Sequence, residues 1–338
     1  MTSNLQSTTQ LTPIFRGQTT TSASPDASNV LGAMTFATRH REPHLDNGYP
    51  DLTVHMVGDD TNSFTEMWCT DRDVIHGERD GVVYAHDGEN FYCAGHINDA
   101  GSYTDSVRSA YLTALGLTRT LGYNRIFRMW NFVEHINGDN NDGLEVYRDF
   151  CRGRAQAFDE LSIPSNQLPA ATGIGSLGGG IGFCLLASRS SHCINIENTR
   201  QTPAYRYPDR YGPRSPSFAR ATYVGMADEG GHIYVSGTAS IVGHVTVHPG
   251  DVDGQCREAL ANIAHLLSGD NLARHGVVRG RSLADLHNVK AYVRHSQDIA
   301  TVKEICAQLL SPTADIAFFN VDICRSDLLV EIEGIVLT

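Results

Sequence analysis

"NFYCAGHIND" (Asn90–Asp99) and "HIYVSGTASI" (His232–Ile241) have the same form: a short apolar run that closes on a small residue and a glycine, Gly95 and Gly237. A repeat has to be settled before any other reading of a sequence, because missing one misassigns the whole fold. The segments downstream of the two stretches also match. "SYTDSVRSAYLTALGLTRTLGY" (Ser102–Tyr123) carries Val107, Ala110, Tyr111, Ala114, Leu117 and Leu121 on one stripe. "DVDGQCREALANIAHLLSG" (Asp251–Gly269) does the same with Val252, Cys256, Ala259, Leu260, Ile263, Leu266 and Leu267. Both spacings predict amphipathic helices.

A strand is expected next in each copy, at Arg125–Val133 and Leu286–Arg294. A second helix comes after it, at Gly143–Glu160 and Gln297–Leu310, and then closing strands, at Ile181–Ser190 and within Ile316–Leu337. Strands and helices mix without strict alternation, so the expected class is α+β, with helices on one face of each sheet. "TPAYRYPDRYGPRSPSFARATY" (Thr202–Tyr223) is rich in Pro, Arg and Tyr and reads as an irregular connector. The expected division is a disordered leader over residues 1–29, a first unit over 30–200, a connector over 201–222 and a second unit over 223–338.

With 338 residues, the chain is long enough for two cores. Its formal net charge of −12 argues against a nucleic-acid partner, which would need clustered basic surface. No apolar run approaches the roughly 20 residues that span a bilayer. The Ser/Thr/Gln-rich start has neither a basic nor an apolar segment, so it does not read as a secretory signal. The eight cysteines include no C-x-x-C pair and mostly sit in apolar segments, as expected of free thiols in a reducing cytoplasm.

The end of the chain poses the chemical question. "LLVEIEGI" (Leu328–Ile335) places Glu331 and Glu333 on one face of a strand and Val330 and Ile332 on the other. Either the acids face water or one is held in a pocket to move protons. The second copy, roughly Gly231–Val336, resembles the RidA/YjgF family of imine-hydrolysing proteins. The resemblance rests on "YVSGTASI", the helix from Asp251, "NVKAYVRHSQDIATVKEI" and "LLVEIEGI". That family's catalytic glutamate falls on Glu331. Its substrate-binding arginine falls on Phe318, a departure that weighs against imine deamination.

From about Val30 onward the chain resembles the chorismatases. "YNRIFRMWNFVEHIN" (Tyr123–Asn137), "GLEVYRDFCRGRAQAF" (Gly143–Phe158), "GPRSPSFARAT" (Gly212–Thr222), "YVSGTASIVGH" (Tyr234–His244) and "DICRSDLLVEIEG" (Asp322–Gly334) agree in order. The resemblance implies two fused RidA/YjgF (chorismate-mutase-like) α/β units, chorismate as substrate, release of pyruvate and no cofactor. It also implies Ala at two positions in hydrolytic members, and Gly and Cys there in members that form 3-hydroxybenzoate by an intramolecular route. This chain has Gly237 and Cys324. The expected function is therefore a cytoplasmic 3-hydroxybenzoate synthase, as a monomer or homotrimer. The competing readings are a hydrolytic chorismatase, an imine deaminase and a non-catalytic carboxylate-binding module.

Breaking an enolpyruvyl ether requires a proton on its methylene carbon. A carboxylic acid kept neutral by burial could deliver it, and Glu331 is assigned that part, with a later role as base. Glu333 is expected behind the acid or on the surface. Cys324 either faces the substrate, excluding water or moving a proton from the 4-hydroxyl, or simply packs. The substrate's two carboxylates need arginines. From the candidates on "VYRDFCRGRAQ" and in the connector, including Arg206, Arg210 and Arg220, the expected set is Arg148, Arg154 and Arg214, with Tyr147 and Tyr211 as hydrogen-bonding partners.

Three further motifs are discounted. "GIGSLG" (Gly173–Gly178) has the letters of a dinucleotide fingerprint without a helix after it, and reads as a flexible loop. His40 and His44 straddle Pro43, which disfavours a helix, and no tight ligand cluster points to a metal. Asn137–Gly143 imitates a calcium loop but lacks the closing bidentate Glu, so a polar turn is expected.

Overall fold

The chain builds three sheets in succession, and the second and third are wired alike. The computed structural model describes residues 11–17, 29–46, 48–58, 63–225 and 230–337. The first sheet contains β1 (Thr12–Gly17), β2 (Val30–Ala37), β3 (Arg41–Asp46), β4 (Tyr49–His55) and β5 (Ser63–Cys69), in the order β1-β5-β2-β4-β3. The leader expected over residues 1–29 is therefore not unstructured throughout, because β1 pairs antiparallel with β5 along its whole length. It lies at a sheet edge, where Pro13 can be accommodated, and Phe15 meets Phe64 edge to face at 4.8 Å.

The second sheet uses β6 (Ile75–Arg79), β7 (Val82–His86), β8 (Asn90–Ile97), β9 (Arg125–Glu134), β10 (Ala170–Ser176) and β11 (Ile181–Ser188), with helices α1 (Thr104–Thr120) and α2 (Val146–Glu160) between them. The third uses β12 (His192–Ile196), β13 (Ala221–Gly225), β14 (Gly231–Ala239), β17 (Leu286–Val293), β18 (Ile316–Asn320) and β19 (Val330–Val336). Its chain also includes a two-stranded ribbon, β15 (Ile241–Val242) with β16 (Val245–Thr246), and helices α3 (Val252–Leu267), α4 (Gly269–Arg274) and α5 (Ile299–Leu309).

Strand for strand, β6-β7-β8-β11-β9-β10 in the second sheet matches β12-β13-β14-β19-β17-β18 in the third. In each, the last strand of the order runs parallel to its neighbour, and β11 or β19 runs antiparallel between its two neighbours. The repeat read from sequence is thus a repeat of topology. The expected boundary at residue 200 moves, because β12 already belongs to the third sheet. The connector over 201–222 is a long excursion between the first two strands of the second unit.

The helices form where their apolar stripes predict. Val107, Tyr111, Ala114 and Leu117 of α1 are buried, as are Cys256, Ala259, Leu260, Ile263, Leu266 and Leu267 of α3. Asp251 caps α3 by accepting from the Gly254 N–H at 3.1 Å. These helices cover the outer faces of the second and third sheets, giving two helix-side cores. The opposite faces turn inward and meet the first sheet in a third, shared core. Phe36 of β2 marks the junction: its ring lies 5.7 Å from Phe132 of the second sheet and 4.7 Å from Phe319 of the third.

This arrangement explains the terminal strand. Every residue of β19 is buried. Val330, Ile332 and Val336 face the helices, while Ile335 belongs to the shared core. Glu331 and Glu333 alternate with the helix-facing residues and so point the same way as Ile335. Among the described residues no helix is long and apolar enough to cross a membrane.

Candidate active site

A cavity of about 350 Å³ opens where the second sheet docks on the third. The docking is made by β10, whose Ala170 N–H donates to Thr222 Oγ1 (2.8 Å) and whose Ala171 N–H donates to Ser236 Oγ (3.0 Å). Further along, the Gly175 N–H donates to the Asp322 carbonyl at 2.8 Å. "GIGSLG" is therefore mostly strand, not the loop expected from it. Its glycines serve close approach: a Cβ at Gly175 would lie 2.7 Å from the Asp322 carbonyl oxygen, and one at Gly173 would lie 3.1 Å from the Tyr147 ring.

Both units line the cavity. Glu145, Tyr147 and Arg148 come from the start of α2, Gly173 from β10, Gly237 from β14, Glu331 from β19, and Cys324 and Arg325 from the segment before β19. The connector adds Tyr207, Arg210, Tyr211, Phe218 and Arg220. Arg294 holds the 323–328 segment in place: its guanidinium donates to the carbonyls of Leu328 (2.7 Å), Ile323 (3.1 Å) and Arg325 (2.8 Å).

Glu331 is 4% exposed. Burial, reinforced by the Glu333 charge, pushes its carboxyl up to about 8, so it is mostly protonated at neutral pH. The Cys324 thiol lies 3.8 Å from Glu331 Oε2. Burial, and then the neighbouring Glu331, raise that thiol well above its ordinary range, so it is a neutral S–H and not a thiolate. Gly237 lies on the other side of the acid, where a Cβ would collide with Glu331 Oε1.

Glu333, two residues on, is the opposite case. It accepts from Arg128 Nη2 (2.5 Å), Lys290 Nζ (2.7 Å), Trp130 Nε1 (3.0 Å), Tyr292 OH (3.2 Å) and the Thr172 hydroxyl. Burial alone would raise its carboxyl, but the two cations and the hydrogen bonds hold it near 2. Lys290 also contacts Glu66 Oε2 of β5. The two carboxylates of one strand are thus driven to opposite charge states by their surroundings.

The "Chorismatase FkbO/Hyg5-like, N-terminal" family model matches residues 66–187. A 3-hydroxybenzoate synthase of Streptomyces hygroscopicus is 53% identical over 330 residues, covering 97% of each chain. A chorismatase of the same organism is 48% identical over 316 residues, covering 93% of this chain and 92% of that one. The chain belongs to the chorismatase family. A crystal structure of a chorismatase superimposes with a TM-score of 0.93 at 44% identity, covering 98% of both chains.

In this chorismatase the cavity gathers Glu331, Cys324, Gly237, Arg148, Tyr147 and Tyr211 of the residues expected from sequence. Two expected arginines are elsewhere. Arg154 points into the helix-side core, 5.1 Å over Phe158 and 5.7 Å over Tyr111, with Nη2 on Met129 Sδ at 3.4 Å. Helical spacing could not tell which side of α2 it would take. Arg214 pairs with Asp159 at 2.7 Å, half exposed and outside the cavity. Arg210, Arg220 and Arg325 line the cavity beside Arg148. Arg325 was legible only as one letter of the "CRSD" stretch. Its guanidinium lies 4.0 Å over the Tyr211 ring, and its Nη1 donates to the His244 carbonyl at 3.0 Å.

Phe318 faces the helix-side core and does not line the cavity. His40 stacks on His96 at 4.4 Å. The 137–143 segment is the polar turn expected: Asn140 Oδ1 accepts from the Asp142 and Leu144 N–H groups, both at 2.9 Å.

The two acids give opposite signs in pH–stability linkage. Glu333, depressed to about 2, contributes stability that is present above the ordinary carboxyl range and lost as pH falls toward 2. Glu331, raised to about 8, makes the folded chain hold a proton that the unfolded chain releases. Its burial therefore costs stability progressively as pH rises from about 4.5 to 8. Urea unfolding of wild type and Glu331→Gln from pH 3 to 9 tests this. The variant is expected to gain on wild type by a few kcal/mol between pH 5 and 9, with both sharing the acid-side loss. Parallel curves on the alkaline side would refute the raised acid.

Proposed function

We propose that this chorismatase converts chorismate to 3-hydroxybenzoate and pyruvate, with Glu331 as the acid that starts the reaction. The observation that carries the reading is a neutral carboxyl held between Gly237 and Cys324 in an arginine-lined cavity. A cavity of this size suits one small ligand. Arg148, Arg210, Arg220 and Arg325 supply the cationic wall that a dicarboxylate needs. Tyr147, whose phenol burial keeps neutral, is positioned beside Gly173 as a hydrogen-bond donor.

Glu331 gives its proton to the enolpyruvyl methylene, and positive charge develops at the ether carbon. The ring carbon–oxygen bond then breaks and pyruvate leaves with the ether oxygen as its ketone. The two products together contain the atoms of chorismate, so no water is consumed overall. The neighbouring 4-hydroxyl oxygen bonds to the vacated ring carbon as its proton returns to the Glu331 carboxylate. Its bond to its original ring carbon then breaks, and the hydrogen on the newly bonded carbon leaves as the oxygen regains a proton, which gives the aromatic phenol. Cys324 and Gly237 serve this route by occupying the space beside the acid without presenting a charged or strongly basic group. The arginines contribute by holding the two carboxylates and so placing the enolpyruvyl methylene beside Glu331.

Because both units contribute to one cavity within one chain, the proposed active form is a monomer, and the free thiols fit a reducing, cytoplasmic setting. Sedimentation of the purified protein at micromolar concentration is expected to give a single species near the 36.9 kDa chain mass. A trimer as the sole active species would overturn that form.

Glu331→Gln is expected to fold and to lose pyruvate release by at least about a hundredfold, the range general acid catalysis supplies. In wild type the rate should fall as pH rises through about 8, where Glu331 ionises. A Glu331→Gln enzyme with near-normal turnover sinks the assignment.

Gly237→Ala and Cys324→Ala together are expected to retain pyruvate release and shift the aromatic product toward a non-aromatic diol. The added methyl displaces Glu331, and loss of the thiol opens room for water. Product chromatography decides: unchanged 3-hydroxybenzoate from the double variant removes these two residues from product control.

A further inference from the structure

Glu331 is faced from several sides. Glu333 lies on its own strand and Cys324 on the preceding segment, Arg128 comes from β9, Arg220 from the approach to β13, and Tyr147 from α2. Burial and the Glu333 charge raise the Glu331 carboxyl, and Arg128 and Arg220 oppose them. Arg128 and Lys290 are bound to Glu333, and Lys290 is bound on its other side to Glu66. Glu66 is 1% exposed and sits on β5 of the first sheet, outside the cavity. Apart from Lys290, the charges that face it are Glu333 and Arg128. Its contact with the ammonium assigns it the carboxylate form, although burial pushes its carboxyl upward. The buried group then holds two cations and two anions and is neutral.

We propose that Glu66 is a positioning residue for the proton transfer: by holding Lys290 between itself and Glu333, it balances that cation and keeps Glu331 in its acid form. This gives the first sheet, which among the described residues contributes nothing to the cavity wall, a part in the chemistry. Without Glu66, the cluster carries a net positive charge about two side chains from Glu331, in a medium with little screening. A positive charge favours the ionised carboxyl, so the acid is lost at lower pH. The inference rests on Glu331 being the acid.

The test is the pH dependence of kcat/KM for pyruvate release from chorismate, which reports the free enzyme's groups. It is measured for wild type, Glu66→Gln, Glu66→Asp, Glu331→Gln and the double variant Glu66→Gln/Lys290→Gln. In Glu66→Gln the alkaline limb is expected to move down by about one pH unit, with KM at pH 6 within about twofold of wild type. Glu66→Asp, which keeps the charge, restores the limb. The double variant, which removes one charge of each sign, returns it to the wild-type position or above.

A uniform loss of activity at all pH values, or an unmoved limb in a folded Glu66→Gln, makes Glu66 a structural residue only and overturns the inference. If Glu66→Gln does not fold, the double variant decides alone, and a limb below wild type overturns the inference. Turnover by Glu331→Gln removes the acid assignment itself. An inactive Glu331→Gln beside an unmoved Glu66→Gln limb removes only the inference.

Discussion

Four charged side chains with almost no access to water join the three sheets. Glu66 comes from the first, Arg128 from the second, Lys290 and Glu333 from the third. Removing one partner from such a set leaves an uncompensated buried charge, at a cost of about 3–5 kcal/mol. Well-packed apolar residues could hold the sheets at similar stability, so the charges add something besides cohesion. They fix one register. A slide of β19 by one residue would turn Glu333 toward the helix-side core and Ile332 toward the cations. The aromatic walls support the same alignment, with the Arg128 guanidinium 4.5 Å and the Lys290 ammonium 5.1 Å from the Trp130 ring.

The parts legible in the sequence were those governed by local period. The stripes on α1 and α3, the paired glycines at Gly95 and Gly237, and the acid on the last strand all come from spacing or from the family motifs. The parts that were not legible depend on what lies across a sheet. Thr12–Gly17 has no period of its own and is ordered by the edge of β5. "GIGSLG" looks like a loop until the Asp322 segment is seen beside Gly175. Arg154 and Arg148 occupy one helix, and only the docked third sheet determines which of them faces the cavity. Glu333 looks like a bystander in the sequence because its five partners lie on β9, β10 and β17, as many as 205 residues away.

The duplication is complete in topology and one-sided in chemistry. Phe183 pairs with Gly95 in the first unit and fills the space above that glycine. In the second unit the space above Gly237 holds the Glu331 carboxyl. The register shift between Val235 and Thr238 turns Gly237 to the inward face, whereas Gly95 faces the helices, so the repeated glycine meets an apolar ring in one copy and an acid in the other. The Phe183 ring packs against Tyr111 at 5.0 Å in the helix-side core, the face opposite to the one that carries Glu331 in the second unit. The first unit keeps its helix α2 for another use, lending Glu145, Tyr147 and Arg148 to the second unit's acid.

That loan has a kinetic side. When the two walls of a site belong to separate molecules, the site exists only at concentrations that hold the molecules together. Here α2 and β19 are parts of one covalent chain, so each meets the other at an effective concentration set by the fold and not by how much protein is present. The site forms once, by a first-order event in folding, and dilution does not dismantle it.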